Sequence, residues 1–169
     1  MAARVRVLHV INGLGAGGAE RSLSELLPVL RDAGVDSAVA CLWRKPEGVH
    51  DSVVAAGFPV HVVGSQKARA VRRLRGLIHG WRPDVVHTTI FEADVLGRLA
   101  AAGTPATVLT SLVNTTYDGV RVADAGLNPA KLLAVKTLDA WTARHLTDHF
   151  HAVSGAVRDS AVQHLGVAR

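Results

Sequence analysis

A doubly wound parallel α/β sheet of about six strands, with helices on both faces, is the fold this sequence predicts. Three observations predict it. Short apolar runs alternate with amphipathic stretches along the whole chain. The turns between them are mostly short, as strand–helix–strand units require. The opening stretch, RVRVLHVINGLGAGGAERSLSELLPVL from Arg4 to Leu30, is a complete strand–turn–helix unit around which the rest is organised.

Within that unit, Val5, Val7, Leu8, Val10 and Ile11 form a nearly unbroken apolar run, the pattern of a strand covered on both faces. Gly13, Gly15, Gly17 and Gly18 follow at once, where a chain without side chains turns sharply or lies close to a ligand. Leu23, Leu26, Leu27 and Leu30 then mark one apolar helical stripe. Such a unit aims free backbone N–H groups and the positive end of a helix dipole at one spot, which suits an anion such as phosphate. The spacing Gly13-x-Gly15-x-x-Gly18 also fits a dinucleotide fingerprint. That fingerprint needs a carboxylate at the end of the next strand, and here Cys41-Leu42-Trp43-Arg44 stands instead. Arg44 would meet a 2′-phosphate, so an NADP- or nucleotide-binding module is the alternative reading.

The remaining elements follow in order. Asp32-Ala33-Gly34 ends the first helix with a glycine cap. Residues 37–42 are a strand, 49–56 a short helix closed by Gly57, and 59–63 (PVHVV) a third strand. A helix runs from Lys67 to Trp81, and Arg82-Pro83 breaks it. Residues 84–88 (DVVHT) are a fourth strand, 91–102 a helix with Ala93, Leu96 and Ala100 on one face, and 106–111 a fifth strand. A long polar loop spans 112–127, and such loops in compact domains often carry function. Asn128-Pro129 starts a helix to about His145, with Asn as N-cap. Residues 148–153 are the sixth strand, and Ser154 caps a last helix that Gly166 ends. The arrangement is Rossmann-like. Its carboxyl rim, where ligands bind in such sheets, collects 13–18, 43–44, 87–92, 111–117 and Ser154.

At 169 residues the chain fits one domain with a sizeable core. The formal net charge is +5, and the basic excess is concentrated in the segment from Lys67 to Arg82. Its apolar stripe is Val71, Leu74, Ile78 and Trp81, with Arg69, Arg72, Arg73 and His79 opposite. A peripheral contact with an anionic membrane is the functional reading of that helix, against a merely solvated face. No aromatic platform accompanies the basic residues, so nucleic acid is not an expected partner. Cys41 has no intrachain partner and reads as a buried hydrophobe. The early apolar run is too short for a secretory signal, and no run reaches membrane-spanning length. The expected location is the cytoplasm. The nine histidines show no metal-ligand spacing, so no metal is expected; His149 and His151 alternate on a strand and read as structural.

Three stretches together resemble a family: LHVINGLGAGGAERSLSELLPVLRDAG, RPDVVHTTIFEADVLGRLAA and HAVSGAVRDSAVQHLGV. The chain looks like the N-terminal, acceptor-side domain of a family 4 glycosyltransferase with the GT-B fold. The resemblance implies two Rossmann-like domains facing across a cleft, this one holding the acceptor and a C-terminal one, outside these 169 residues, holding the nucleotide-sugar donor. It also implies retention at the anomeric carbon without a metal or other cofactor, and a role in cell-surface polysaccharide or glycolipid synthesis. The chain departs from the family in two places. Glu20, Glu25, Glu47 and Glu92 include no pair at the spacing of the family's donor-side glutamates. No histidine lies at Thr110-Ser111-Leu112-Val113-Asn114, where many members have one, and Thr88-Thr89 replace a second.

The resemblance implies that Gly15, Gly17 and Gly18 lie near the diphosphate and acceptor, with Glu20 as the acid of the GGAE signature. Glu20 also suits the first helical turn on dipole grounds alone. His87 is a candidate acid/base or hydrogen-bond partner for sugar hydroxyls. Glu92 is a candidate to orient or deprotonate an acceptor hydroxyl. Asn114, Thr115 and Tyr117 offer amide, hydroxyl and ring groups for sugar recognition. The expected partners are a nucleotide-sugar, a glycan or lipid-linked acceptor, and a donor-binding domain in cis or trans. A pure sample of this chain is expected to be inactive alone, and a non-catalytic subunit of a split transferase is a further alternative.

Overall fold

The computed structural model describes residues 4–115, 117 and 128–168. Six strands alternate with helices: β1 (Arg6–Ile11), α1 (Gly18–Asp32), β2 (Asp36–Cys41), α2 (His50–Ala55), β3 (Val60–Val62) and α3 (Lys67–Trp81). There follow β4 (Val85–Thr89), α4 (Phe91–Ala101), β5 (Thr107–Leu112), α5 (Pro129–Leu146), β6 (His149–Ala152) and α6 (Gly155–Leu165). All five ladders are parallel, and the strand order is β3-β2-β1-β4-β5-β6. The chain winds one way from β1 to β3, then returns past β1 and winds the other way. This is the doubly wound, Rossmann-like sheet that the sequence predicts.

Both faces of the central strands are covered. Ile11, Val39 and Cys41 pack with Leu23 and Leu27 of α1 and Val53 of α2. Leu8, Val10, Val86 and Val108 pack on the other face with Leu74 and Ile78 of α3 and Leu96 of α4. The predicted stripe of α1 is narrower than expected: Leu23 and Leu27 are buried, but Leu26 is 40 % exposed. α1 ends as predicted. Gly34 takes φ 83°, and Gly34 and Val35 donate to the carbonyls of Arg31 and Leu30, a Schellman closure. Asn128 caps α5 by accepting from Ala130 N at 2.9 Å, and Ser154 caps α6 by accepting from Val157 N at 3.2 Å. Cys41 is fully buried, and burial pushes its thiol up to about 12. Residues 116 and 118–127, most of the predicted functional loop, lie outside the described residues.

Candidate functional site

Because every strand is parallel, all six carboxyl ends lie along one rim. Winding reverses between β1 and β4, so the crevice there is the position where this fold takes ligands. The loop after β1 and the β4–α4 junction form its two walls. Asn12 bridges them: its side-chain carbonyl accepts from the Ala93 backbone N–H at 2.9 Å. It thereby caps α4, whose own N-cap residue, Ile90, supplies no side-chain acceptor. Ile90 holds φ 76°. For a β-branched residue this left-handed conformation costs about 1–3 kcal/mol and marks a constrained spot at the crevice.

The glycines lie on this rim, and their reason is close approach rather than left-handed geometry. A Cβ on Gly13 would stand 3.0 Å from the Trp43 carbonyl oxygen, and one on Gly15 would stand 2.8 Å from Lys45 Cδ. The loop after β2 thus lies directly on Gly13 and Gly15, and its own chain, not a ligand, fills that space. Gly17 is the N-cap of α1, and a Cβ there would strike the carboxylate of Glu20. Glu20 is buried in the first turn of α1, where its carboxylate folds back over the helix N-terminus. Gly18 is exposed, with open space where a Cβ would sit. Arg44 pairs with Asp51 at 2.8 Å on the surface.

His87 is placed differently from the expectation of a rim acid/base. It belongs to a polar row crossing five strands. His9 Nδ1 lies 2.9 Å from His87 Nδ1, and His87 Nε2 lies 2.7 Å from Ser111 Oγ. Ser37 continues the row from His9 at 3.4 Å, and His151 from Ser111 at 3.5 Å. Both ring nitrogens of His87 are therefore engaged within the sheet. Burial, with His151 second, lowers His87 to about 4, and burial, with His87 second, lowers His9 to about 3. Lowered in this way, His87 favours the neutral imidazole, whose one N–H and one lone pair are both taken up within the row, so it is not poised as the predicted general acid. Glu92 stands in the first turn of α4 at the rim, half-buried. Asn114 and Thr115, also half-buried, follow β5 on the same rim.

Tyr117 is the second correction. It is buried against α5 and α6, and its hydroxyl donates to Asp139 Oδ2 at 2.9 Å. Burial, and then the neighbouring Asp139, pushes the phenol upward. Its ring is enclosed and presents no face to a sugar. It joins a buried network that sequence reasoning missed. Arg98 of α4, 1 % exposed, donates to Asp139 Oδ1 of α5 at 2.7 Å, to Thr142 at 3.3 Å and to Thr110 of β5 at 3.3 Å. Thr110 meets Thr88 at 2.8 Å. Asp94, one turn before Arg98, is raised to about 6 by burial, with Arg98 opposing the shift. One available signal was the pair Asp94 and Arg98, opposite charges four residues apart, set among the apolar residues of α4 that follow Glu92. Asp94, Asn114, Tyr117 and Asp139 line a polar cavity of about 30 Å³ beneath the rim, large enough for a single water. Among the described residues no cluster of His, Cys, Asp or Glu is arranged to hold a metal ion. No helix among them is long and apolar enough to cross a membrane.

Comparison with known proteins agrees with this architecture. The chain superimposes on the Anabaena protein Alr3699/HepE in complex with UDP with a TM-score of 0.73 at 16% identity, covering 97% of this chain and 42% of that one. A glycosyltransferase from Rickettsia africae gives a TM-score of 0.67 at 13% identity, covering 98% of this chain and 41% of that one. MurG from Acinetobacter baumannii gives 0.53 at 16% identity, covering 78% and 39%. The chain therefore spans less than half the length of the solved structures it resembles. No curated protein sequence matches it. The sequence profile of Glycosyltransferase Family 4 matches residues 16–169, and the chain belongs to that family.

Proposed function

We propose that this chain is the acceptor-binding half of a glycosyltransferase that moves a sugar from a nucleotide-sugar to a glycan or glycolipid in cell-surface polysaccharide synthesis. The observation that carries the reading is the family match over residues 16–169, which takes in the start of α1 and the β4–α4 junction beside the β1/β4 crevice. Related folds bound to UDP and UDP-glucose support a nucleotide-sugar as donor. A donor-binding domain, in cis or trans, supplies the second wall of the cleft. Catalysis on this side is positioning: the acceptor hydroxyl is held against the anomeric carbon while the diphosphate leaves. Glu92 is the rim carboxylate assigned to that hydroxyl. Gly17, Gly18, Asn114 and Thr115 border the same opening, and His87 supports the rim from within the sheet. No metal or other cofactor takes part, and the work is done at the cytoplasmic side of the membrane.

The family match favours this reading over the NADP-binding alternative, and Arg44, the residue that would meet a 2′-phosphate, pairs instead with Asp51. The test is sugar transfer from a panel of labelled UDP- and GDP-sugars to bacterial lipid and glycan extracts. The chain alone is expected to give no transfer, and the chain joined to a donor-binding domain is expected to give it. Turnover by the chain alone, or tight binding of NADPH, overturns the proposal.

A further inference from the structure

Asp94 stands at the edge of the buried network with a bond left unmade. It is 7% exposed and lines the polar cavity beneath the rim. Its Oδ1 is enclosed and has no hydrogen-bond partner among the described residues. Buried carboxyl oxygens are ordinarily satisfied, so an orphan aimed at a polar cavity points to a ligand. The bonds of Arg98 go to Asp139, Thr142 and Thr110. Two carboxyls therefore face one guanidinium, and one of them lacks a counter-charge. Around the cavity α4 contributes Asp94 and Arg98, α5 Asp139 and α6 Ser160, while Thr88 of β4 supports the Asp94 carboxyl. Lys136 and His164 bond to each other at 3.1 Å, with Lys136 Nζ 5.6 Å from the centre of the Tyr117 ring, and neither belongs to the lining. Tyr117 gives its proton to Asp139 Oδ2, so its oxygen has only lone pairs left to offer. At Asp94 and Tyr117 the lining thus presents acceptors and calls for a donor. The space, about 30 Å³, admits one group the size of a water. Phe91 and Asn114, half-buried on the rim, are part of the same lining.

We infer that this cavity is a site for one primary ammonium group, either the free ion or the amine of an amino sugar held at the acceptor opening. An ammonium group is about the size of a water, carries only donors and supplies the missing positive charge. A water fits the space but leaves the charge unbalanced, and a sugar hydroxyl brings one donor and no charge. The use of the site for an acceptor amine rests on the acceptor-side reading above, whereas the site itself does not.

The test is thermal unfolding of the full chain at pH 7 in ammonium chloride and in tetramethylammonium chloride of equal ionic strength. Ammonium is expected to raise Tm saturably, by about 3 °C or more. Tetramethylammonium, too large and without an N–H, is expected to give no such rise. The difference is expected to shrink as pH falls from 7 to 5, because Asp94, raised by burial to about 6, then holds a proton in place of the cation. Asp94→Asn, which keeps the shape and removes the charge, is expected to abolish the difference with native circular dichroism. Ser160→Leu, which fills the cavity from α6, is expected to do the same. Glucosamine and N-acetylglucosamine separate the two sources. A rise with glucosamine and none with its acetylated form assigns an acceptor amine, and a rise with ammonium but not with glucosamine assigns the free ion. No ammonium-specific rise, an equal rise in folded Asp94→Asn, or a rise indifferent to pH overturns the inference and leaves the cavity to a water. The measurement uses no sugar donor. Sugar transfer by the joined protein without an ammonium-specific rise therefore defeats this inference alone, and a rise in a protein that never transfers sugar defeats only the transferase reading.

Discussion

The two faces of one sheet solve the same problem in opposite ways. Beneath α4, Arg98 and Asp139 form an ion pair, almost fully enclosed and bonded also to Thr110, Thr142 and Tyr117. On the opposite face, His9 and His87 are kept neutral and bond ring to ring. A buried charge is tolerated only when paired and hydrogen-bonded, and a titratable group without a counter-charge gives up its own charge instead. The charged cluster therefore depends on its partners, and the neutral row depends on pH. The lesson for the rim is that both clusters hold it from below. Arg98 and Tyr117 tie α4, α5 and the segment after β5 together, while His87 and Ser111 join β4 to β5 next to the crevice.

The largest effect is expected from breaking the charged side. Arg98→Ala strands Asp139 in the interior and is expected to cost about 3–5 kcal/mol in denaturant unfolding. Replacing both partners, Arg98→Met with Asp139→Leu, is expected to recover most of that loss, because apolar packing needs no counter-charge. A single and a double variant of equal stability would show that the pair is not coupled.

The neutral face is broken by acid. Folded-state values of about 3 for His9 and about 4 for His87 lie below the ordinary 6.5, so the unfolded chain takes up protons first. The stability tied to the neutral rings is complete above about pH 6.5. It declines as pH falls towards the folded values, by about 1.4 kcal/mol per pH unit for each histidine at most. Unfolding measured from pH 7 to 4 is expected to show this slope, and His9→Asn is expected to flatten it by about half. An unchanged slope in that variant would place the acid sensitivity elsewhere.

Much of the fold was legible in the sequence because its determinants are local. The apolar run at Val7–Ile11, the cap at Gly34 and the Asn128-Pro129 helix start each act within a few residues. The site was legible only where it, too, is local: the glycine loop, Glu92 and Asn114 fall on the rim simply because they follow strands. What the sequence hid is non-local. Arg98 and Asp139 are 41 residues apart, and His9 and His87 are 78 apart. Only the β1–β4 register brings His9 opposite His87. Tyr117 looked like a loop residue because its acceptor, Asp139, lies a helix away. Gly13 and Gly15 looked ligand-facing because Trp43 and Lys45, which cover them, belong to the next unit of the chain.

A smaller effect sharpens the comparison at the crevice itself, between the two clusters. Asn12→Ala removes the cap that crosses from β1 to α4 and is expected to cost about 1 kcal/mol. Asn12→Asp, which keeps the acceptor, is expected to restore that stability. Equal loss in both variants would mean that the bond to Ala93 is not what Asn12 contributes. Smallest of all is Arg44→Ala, which removes an exposed pair with Asp51 and is expected to change stability by less than about 1 kcal/mol.

The most direct test of the account is the acceptor dependence of sugar transfer by the chain joined to a donor-binding domain, compared between the native protein, Glu92→Gln and His149→Asn. Glu92 borders the crevice, and His149 lies exposed on the edge strand β6. The account predicts that Glu92→Gln lowers kcat/KM for the acceptor at least tenfold and leaves the donor KM unchanged, while His149→Asn changes neither. Native acceptor kinetics in Glu92→Gln, or a loss confined to donor binding, would contradict it.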